Sequence, residues 1–147
     1  MSFFRPLLSL LLAFVAVFVV SCSDGSQAKA PTYSPAQLAQ IQTASANIQA
    51  MRDRFPELAT KIQSRDWNDV KSFIHGPLGE IRSRMSGLSR SLLPGAREKA
   101  LAASKEMFLH LNKIDEAADA NDYQLAIRNY SEALKDYDTF ASFLPQG

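Results

Sequence analysis

Residues 66–95, Asp-Trp-Asn-Asp-Val-Lys-Ser-Phe-Ile-His-Gly-Pro-Leu-Gly-Glu-Ile-Arg-Ser-Arg-Met-Ser-Gly-Leu-Ser-Arg-Ser-Leu-Leu-Pro-Gly, decide the fold. Asp66 is a good helix N-cap, and after it Trp67, Val70, Ile74, Leu78, Ile81, Met85, Leu88 and Leu92 recur at steps of three and four, which puts them on one buried helical face. Gly76-Pro77-Leu78-Gly79 sits inside that stripe, although proline costs about 3 kcal/mol and glycine about 1 kcal/mol in a helix interior. Two turns of apolar contact on each side of it predict a kinked helix rather than two separate ones. Pro94-Gly95 marks the turn that ends the element.

The same period continues on both sides. Upstream, Ser34-Pro35-Ala36-Gln37 combines an N-cap, proline at the first helical position and a capping-box glutamine, and Leu38, Ile41, Ile48, Phe55 and Ile62 keep one face apolar. Pro56 should bend this first helix near Phe55 and start a further short helical piece. Downstream, a third helix is expected from about Ala96 to Asp119, with Leu101, Ser104, Phe108, Leu111, Ile114 and Ala118 facing inward. Asn121-Asp122-Tyr123-Gln124 reads as another cap, with glutamine three residues on. It opens a fourth helix along the stripe Tyr123, Ile127, Tyr130, Leu134, Tyr137, Ala141 and Leu144, which Pro145 stops. No segment has the alternation of a strand. Four amphipathic segments of roughly 20 residues, each about 30 Å long, joined by short turns, predict an all-α, antiparallel up-down-up-down four-helix bundle over residues 34–147.

The first 21 residues carry different information. Arg5 precedes an apolar run from Leu7 to Val20, of signal-peptide length and too short for a comfortable transmembrane helix. Val19-Val20-Ser21-Cys22 puts small residues directly before the only cysteine and matches a bacterial lipobox, so residues 1–21 read as a removed lipoprotein signal peptide and Cys22 as the lipid attachment site. The chemistry needs a thiol to take a diacylglyceryl group as a thioether, and no second cysteine exists for a disulfide. Residues 22–33 offer nothing to bury and read as a lipidated N-terminus and flexible tether; the 11 residues from Ser23 to Tyr33 would span roughly 18 Å on average as a coil.

Charge narrows the function. The whole chain has 16 basic and 15 acidic residues, and loss of Arg5 with the signal peptide brings the mature chain to zero, without a nucleic-acid signature. The distribution is uneven: residues 51–100 hold 10 basic and 6 acidic side chains, residues 101–147 hold 4 and 8. Either these halves pair within the bundle, or the basic one steers docking onto an acidic partner. With Cys22 acylated, thiol catalysis and zinc-cysteine sites are excluded, and neither a phosphate-cradling loop nor a nucleophile elbow is present. Glu106 and His110, one turn apart, are a weak candidate metal pair beside their plainer reading as surface side chains. The tyrosines of the fourth helix read as core.

Several blocks carry a family resemblance: Trp67-x-x-Val70-x-x-Phe73-Ile74-x-Gly76-Pro77-Leu78-Gly79, then Leu92-Leu93-Pro94, Phe108-x-x-Leu111-x-x-Ile114-Asp115-x-Ala117-Ala118, Tyr130-x-x-Ala133-Leu134-x-Asp136-Tyr137-Asp138-x-Phe140 and Leu144-Pro145. On these residues the chain resembles the PsbQ-like family of extrinsic photosystem II subunits, over roughly Tyr33 to Pro145, and the lipobox fits its cyanobacterial lipoprotein branch. The resemblance implies a non-catalytic four-helix protein, peripheral and lipid-anchored on the lumenal side of the thylakoid membrane. Its partners would be the photosystem II lumenal face, the other extrinsic subunits and, through acylated Cys22, membrane lipid. It implies stabilisation of the oxygen-evolving complex and help in retaining calcium and chloride at the manganese cluster, with no cofactor bound directly and only an indirect association with calcium, chloride and manganese. A docking face is expected to include Gly76, Pro77, Leu78 and Gly79, where a kink exposes backbone, with Lys71, Arg82 and Arg84 beside them. The competing reading is a generic lipid-anchored periplasmic helical bundle that binds a metal or small ligand.

Overall fold

The computed structural model describes residues 31–146. The expected signal peptide, the expected lipid attachment site Cys22 and the expected tether up to residue 30 lie outside the described residues. Within them the protein is all-helical, with no strand: α1 (Pro35–Arg52), α2 (Phe55–Ser64), α3 (Trp67–His75), α4 (Ile81–Ser91), α5 (Pro94–Ala120) and α6 (Tyr123–Ser142). No helix among them is long and apolar enough to cross a membrane.

Local chemistry sets most boundaries. The Ser34 N–H donates to Gln37 Oε1 at 2.8 Å, and the Gln37 N–H donates to Ser34 Oγ at 3.2 Å, so the expected capping box forms with Pro35 as the first helical residue. Pro56 falls in the first turn of α2, where its missing donor costs nothing; the first helix breaks at Asp53-Arg54 and resumes, as its position predicts. Asp66 caps α3 and Asp122 caps α6, each carboxylate accepting a backbone N–H three residues on. The second of these lies one residue later than the sequence suggests, because Asn121 is used to end α5 in the left-handed conformation (φ 56°), which asparagine tolerates better than most residues. Arg97 closes α4 by donating twice to the Leu92 carbonyl, at 3.2 and 3.0 Å.

Side-chain pairs fix how the segments run. Lys71 on α3 meets Asp119 on α5, His75 Nε2 lies 3.0 Å from Asp115, and the Arg82 guanidinium of α4 stacks 5.2 Å above the Phe108 ring. Eleven residues separate Lys71 from Arg82, and eleven separate Asp119 from Phe108. The chain from α3 to α4 therefore advances along α5, in the opposite direction, at the helical rate despite its interruption. Lys61 to Asp69 at 2.8 Å sets α2 antiparallel to α3, and His110 Nδ1 to Asp136 at 2.7 Å ties α5 to α6. The Tyr137 hydroxyl donates to Gln49 Oε1 at 2.7 Å, and the Phe55 and Tyr130 rings lie 6.2 Å apart, so α1 and α2 run against α6.

The core confirms the second helical stripe: Val70, Ile74, Leu78, Ile81, Met85, Leu88 and Leu92 are all buried, with Trp67 half-buried at its start. The fourth stripe is rotated from its expected position. On α6 the buried residues are Ala126, Asn129, Ala133, Tyr137 and Phe140, while Tyr123, Ile127, Tyr130, Leu134 and Ala141 are half-buried on the flanks, as is Leu144 just beyond the helix. Alanines explain the shift. Ala100, Ala103, Ala117 and Ala118 are buried on α5, so α5 and α6, the most extensive pairing in the protein, approach along small residues and place the larger ones beside the seam. Leu101 and Phe108 are likewise half-buried, and fully buried Met107 takes the inward position. Tyr33, which composition places in the tether, packs instead against the core, and its hydroxyl accepts the Leu93 N–H at 3.0 Å.

Gly87, exposed within α4, has nothing within 4 Å of where a Cβ would stand. Gly87→Ala is expected to stabilise the fold by about 0.5–1 kcal/mol, since it removes only a helix-propensity penalty; urea denaturation reads this as a higher midpoint at unchanged slope.

Candidate docking face

The interruption between α3 and α4 is built around one missing hydrogen. Pro77 has no N–H to offer the Phe73 carbonyl one turn back, and the Leu78 N–H takes its place at 3.1 Å, widening the turn. Gly76 donates to the Ser72 carbonyl and Gly79 to the Gly76 carbonyl, at 2.9 and 3.0 Å. Both glycines are required by contact, not by dihedral angle. A Cβ on Gly76 would stand 2.8 Å from the Ser72 carbonyl oxygen, and one on Gly79 would collide with the carbonyl oxygen of His75. Five residues thus lie outside regular helix, so α3 and α4 are separate helices where a single kinked helix was expected, although the common register along α5 survives.

Solvent meets this segment in two hollows. A groove of about 530 Å³ runs between α1 and the interruption, lined by Asn47, Met51, Gly76, Pro77, Glu80 and Arg84. On its other side Pro77 borders a smaller hollow of about 170 Å³ with Lys61, Asp69, Ser72 and Phe73. The proline ring is the ridge between them. Leu78 points the other way, only 2% exposed, and belongs to the core.

The basic residues expected beside this block do not form one patch. Lys71 and Arg82 turn towards α5, the first pairing with Asp119, whose hydrogen bond holds the ammonium above its ordinary pKa, and the second lying over Phe108. Arg84 alone lines the α1-side groove, where its guanidinium donates twice to Glu80, at 3.0 and 2.6 Å. The candidate face therefore offers a cation already balanced by a carboxylate, an amide at Asn47, a thioether at Met51 and the backbone of Gly76. Asn47, Met51 and Glu80 were not singled out from sequence, because nothing short of the approach of α1 to the interruption brings them together.

The weak metal pair fares differently. His110 faces away from Glu106 to Asp136 across the α5–α6 seam, Glu106 is exposed, and among the described residues no group of three His, Cys, Asp or Glu side chains could hold an ion. Of the two readings of the charge asymmetry, Lys71–Asp119 is one ion pair that joins the basic and acidic parts of the chain, while Arg54–Glu57, Lys61–Asp69, Arg84–Glu80 and Lys135–Glu132 are local.

Comparison with known proteins adds the family context. The model of the PsbQ family, described as oxygen evolving enhancer protein 3, matches residues 5–145. CyanoQ of Synechocystis sp. (strain ATCC 27184 / PCC 6803 / Kazusa) is 44% identical over 148 residues, which cover 99% of this chain and 99% of that protein.

Proposed function

The chain belongs to the PsbQ family, and from that membership we propose that it is a non-catalytic extrinsic subunit of photosystem II. The observation that carries the reading is the family match from residue 5 to residue 145, which takes in every helix among the described residues and the Gly-Pro interruption. In this reading the six helices act as four rods in an up-down-up-down bundle: α1 with α2, α3 with α4, α5 and α6. The antiparallel contacts of neighbouring rods support that topology. Acyl chains on Cys22 hold the bundle at the lumenal membrane surface and raise its effective concentration near the complex. Bound there, it stabilises the oxygen-evolving assembly and slows loss of calcium and chloride by covering a protein surface, not by ligating either ion.

The docking element is the groove beside Pro77. It is concave, it presents backbone at Gly76, and its one cation–carboxylate pair gives direction without leaving a net charge to desolvate. The test is copurification with photosystem II in mild detergent, with two surface changes. Asn47→Trp fills the groove from an exposed position, and Arg84→Glu puts two carboxylates side by side. Each is expected to lower retention on the complex by roughly tenfold, about 1.4 kcal/mol, at an unchanged unfolding midpoint. A wild-type chain that never travels with the complex removes the proposal; wild-type retention of both variants removes only the groove.

A further inference from the structure

Four methionines occur in the chain, and the three among the described residues differ sharply in access. Met85 on α4 and Met107 on α5 are wholly buried in the core, at 0% exposure. Met51, in the last turn of α1, is half-buried: it packs against the edge of the core and also lines the groove beside Pro77. That groove holds about 530 Å³, against roughly 30 Å³ for one molecule of liquid water, so a reagent as small as hydrogen peroxide enters it. A thioether has no proton to lose, and its oxidation is governed by access to the sulfur. Of the three, Met51 alone has that access without an opening of the core.

The neighbours decide what oxidation would change. Met51 is the one apolar side chain that α1 brings to the groove, and Asn47, its companion there, stands one turn earlier on the same face. The opposite wall is made by Gly76, Pro77 and the Arg84–Glu80 pair. A sulfoxide at residue 51 would place a strong hydrogen-bond acceptor between two donors, the Asn47 amide on its own helix and the Arg84 guanidinium across the groove. Arg84 can turn to it at little cost, since its pair with Glu80 is local and exposed. The lip that a partner meets then changes from apolar to polar, and burying an S–O dipole against apolar atoms costs affinity.

We propose that Met51 is a site of reversible oxidation by peroxides, and that its sulfoxide closes the groove to the docking partner. The proposal rests on the groove as docking element in the reading above. In the forward step a lone pair of the Met51 sulfur attacks one peroxide oxygen, the O–O bond breaks, and the second oxygen leaves with both protons as water. Sulfur is oxidised by two electrons and the peroxide is reduced by two. In the reverse step a dithiol returns the two electrons: the sulfoxide oxygen leaves as water and the dithiol becomes a disulfide.

The experiment treats the native chain with hydrogen peroxide and follows each methionine by peptide mass spectrometry. Met51 is expected to gain oxygen at least about tenfold faster than Met85 or Met107, which react only when the core opens. Retention of the oxidised chain on photosystem II in mild detergent should fall at least about fivefold, with its helical circular dichroism unchanged. Methionine sulfoxide reductases with dithiothreitol should restore it. Met51→Leu carries every other oxidisable group, so peroxide should leave its retention where it stood before treatment, whatever that starting value is. Equal oxidation rates at the three methionines, a Met51 sulfoxide that leaves retention unchanged, or an equal loss in Met51→Leu overturns the proposal. Failure of the docking reading is separately visible, because the untreated chain then never travels with the complex. The isolated protein still decides in that case: the side-chain signals of Asn47 and Arg84 in a nitrogen-15 spectrum should shift on oxidation and recover on reduction, and signals that stay in place overturn the proposal.

Discussion

Phe55→Ala is expected to destabilise the protein by about 3–5 kcal/mol, the usual range for truncation of a buried aromatic side chain. Phe55 is wholly buried at the first residue of α2, directly after the break at Asp53-Arg54. Its ring lies 6.2 Å from Tyr130 on α6, and the Arg52 guanidinium stands 5.7 Å from it and 5.6 Å from the Tyr137 ring. Arg52 has no carboxylate partner among the described residues, and its Nε is buried without a hydrogen bond, so the two ring faces supply the attraction that an ion pair would. Truncation would leave a cavity where α1, α2 and α6 meet and take away one of the two rings. Phe55→Leu, which keeps most of the volume, should cost less than half as much. In a double-mutant cycle Phe55 and Arg52 should couple by about 0.5–2 kcal/mol. Urea midpoints at constant slope measure all three; a loss below about 1 kcal/mol for Phe55→Ala would show that the helix break is held by something other than this cluster.

The break itself was legible from Pro56, and so were the capping box at Ser34, the Asp66 cap and the entire inward face from Val70 to Leu92, because each depends on residues close in sequence. The inward face of α6 was not. A stripe of tyrosine, isoleucine and leucine has the larger hydrophobicity, and a reading by hydrophobicity follows it. The buried line runs instead through Ala126, Asn129 and Ala133, since α5 opposite is itself lined with alanines and two small-residue faces can approach more closely. Buried Asn129 is tolerated there because its amide donates to the Leu125 carbonyl at 2.8 Å. Periodicity gives the period of a face, and its phase depends on the partner. The residues proposed for docking divide the same way. Gly76 and Pro77 announce themselves as breakers, whereas the separation of Arg82 from Arg84, one towards α5 and one towards α1, follows from the direction each flank of α4 faces in the assembled protein.

Gly79→Ala should reverse the sign that helix propensity assigns to it. Alanine in place of glycine favours a helix by about 1 kcal/mol, and at Gly87 that term is expected to act alone. At Gly79 the added carbon would overlap the His75 carbonyl oxygen, a backbone atom that cannot swing aside like the end of a flexible side chain. Relief requires His75 and Gly79 to separate, which lengthens the interruption. Longer spacing there is incompatible with the equal spacing of Lys71 to Arg82 and Asp119 to Phe108: either Arg82 leaves the Phe108 ring or the Lys71 and His75 contacts with α5 slip. The expected net loss is about 1–3 kcal/mol, the usual cost of overpacking. Since the same movement reshapes the groove beside Pro77, weaker retention on photosystem II should accompany it. Gly87→Ala, in the same rod with the same gain in propensity, should raise the midpoint and leave retention unchanged. Two substitutions of one kind, a few turns apart, thus separate the chemistry of the residue from the geometry of its site. A Gly79→Ala protein as stable and as well retained as the wild type would mean that the interruption is merely tolerated, and that the groove's shape does not depend on it.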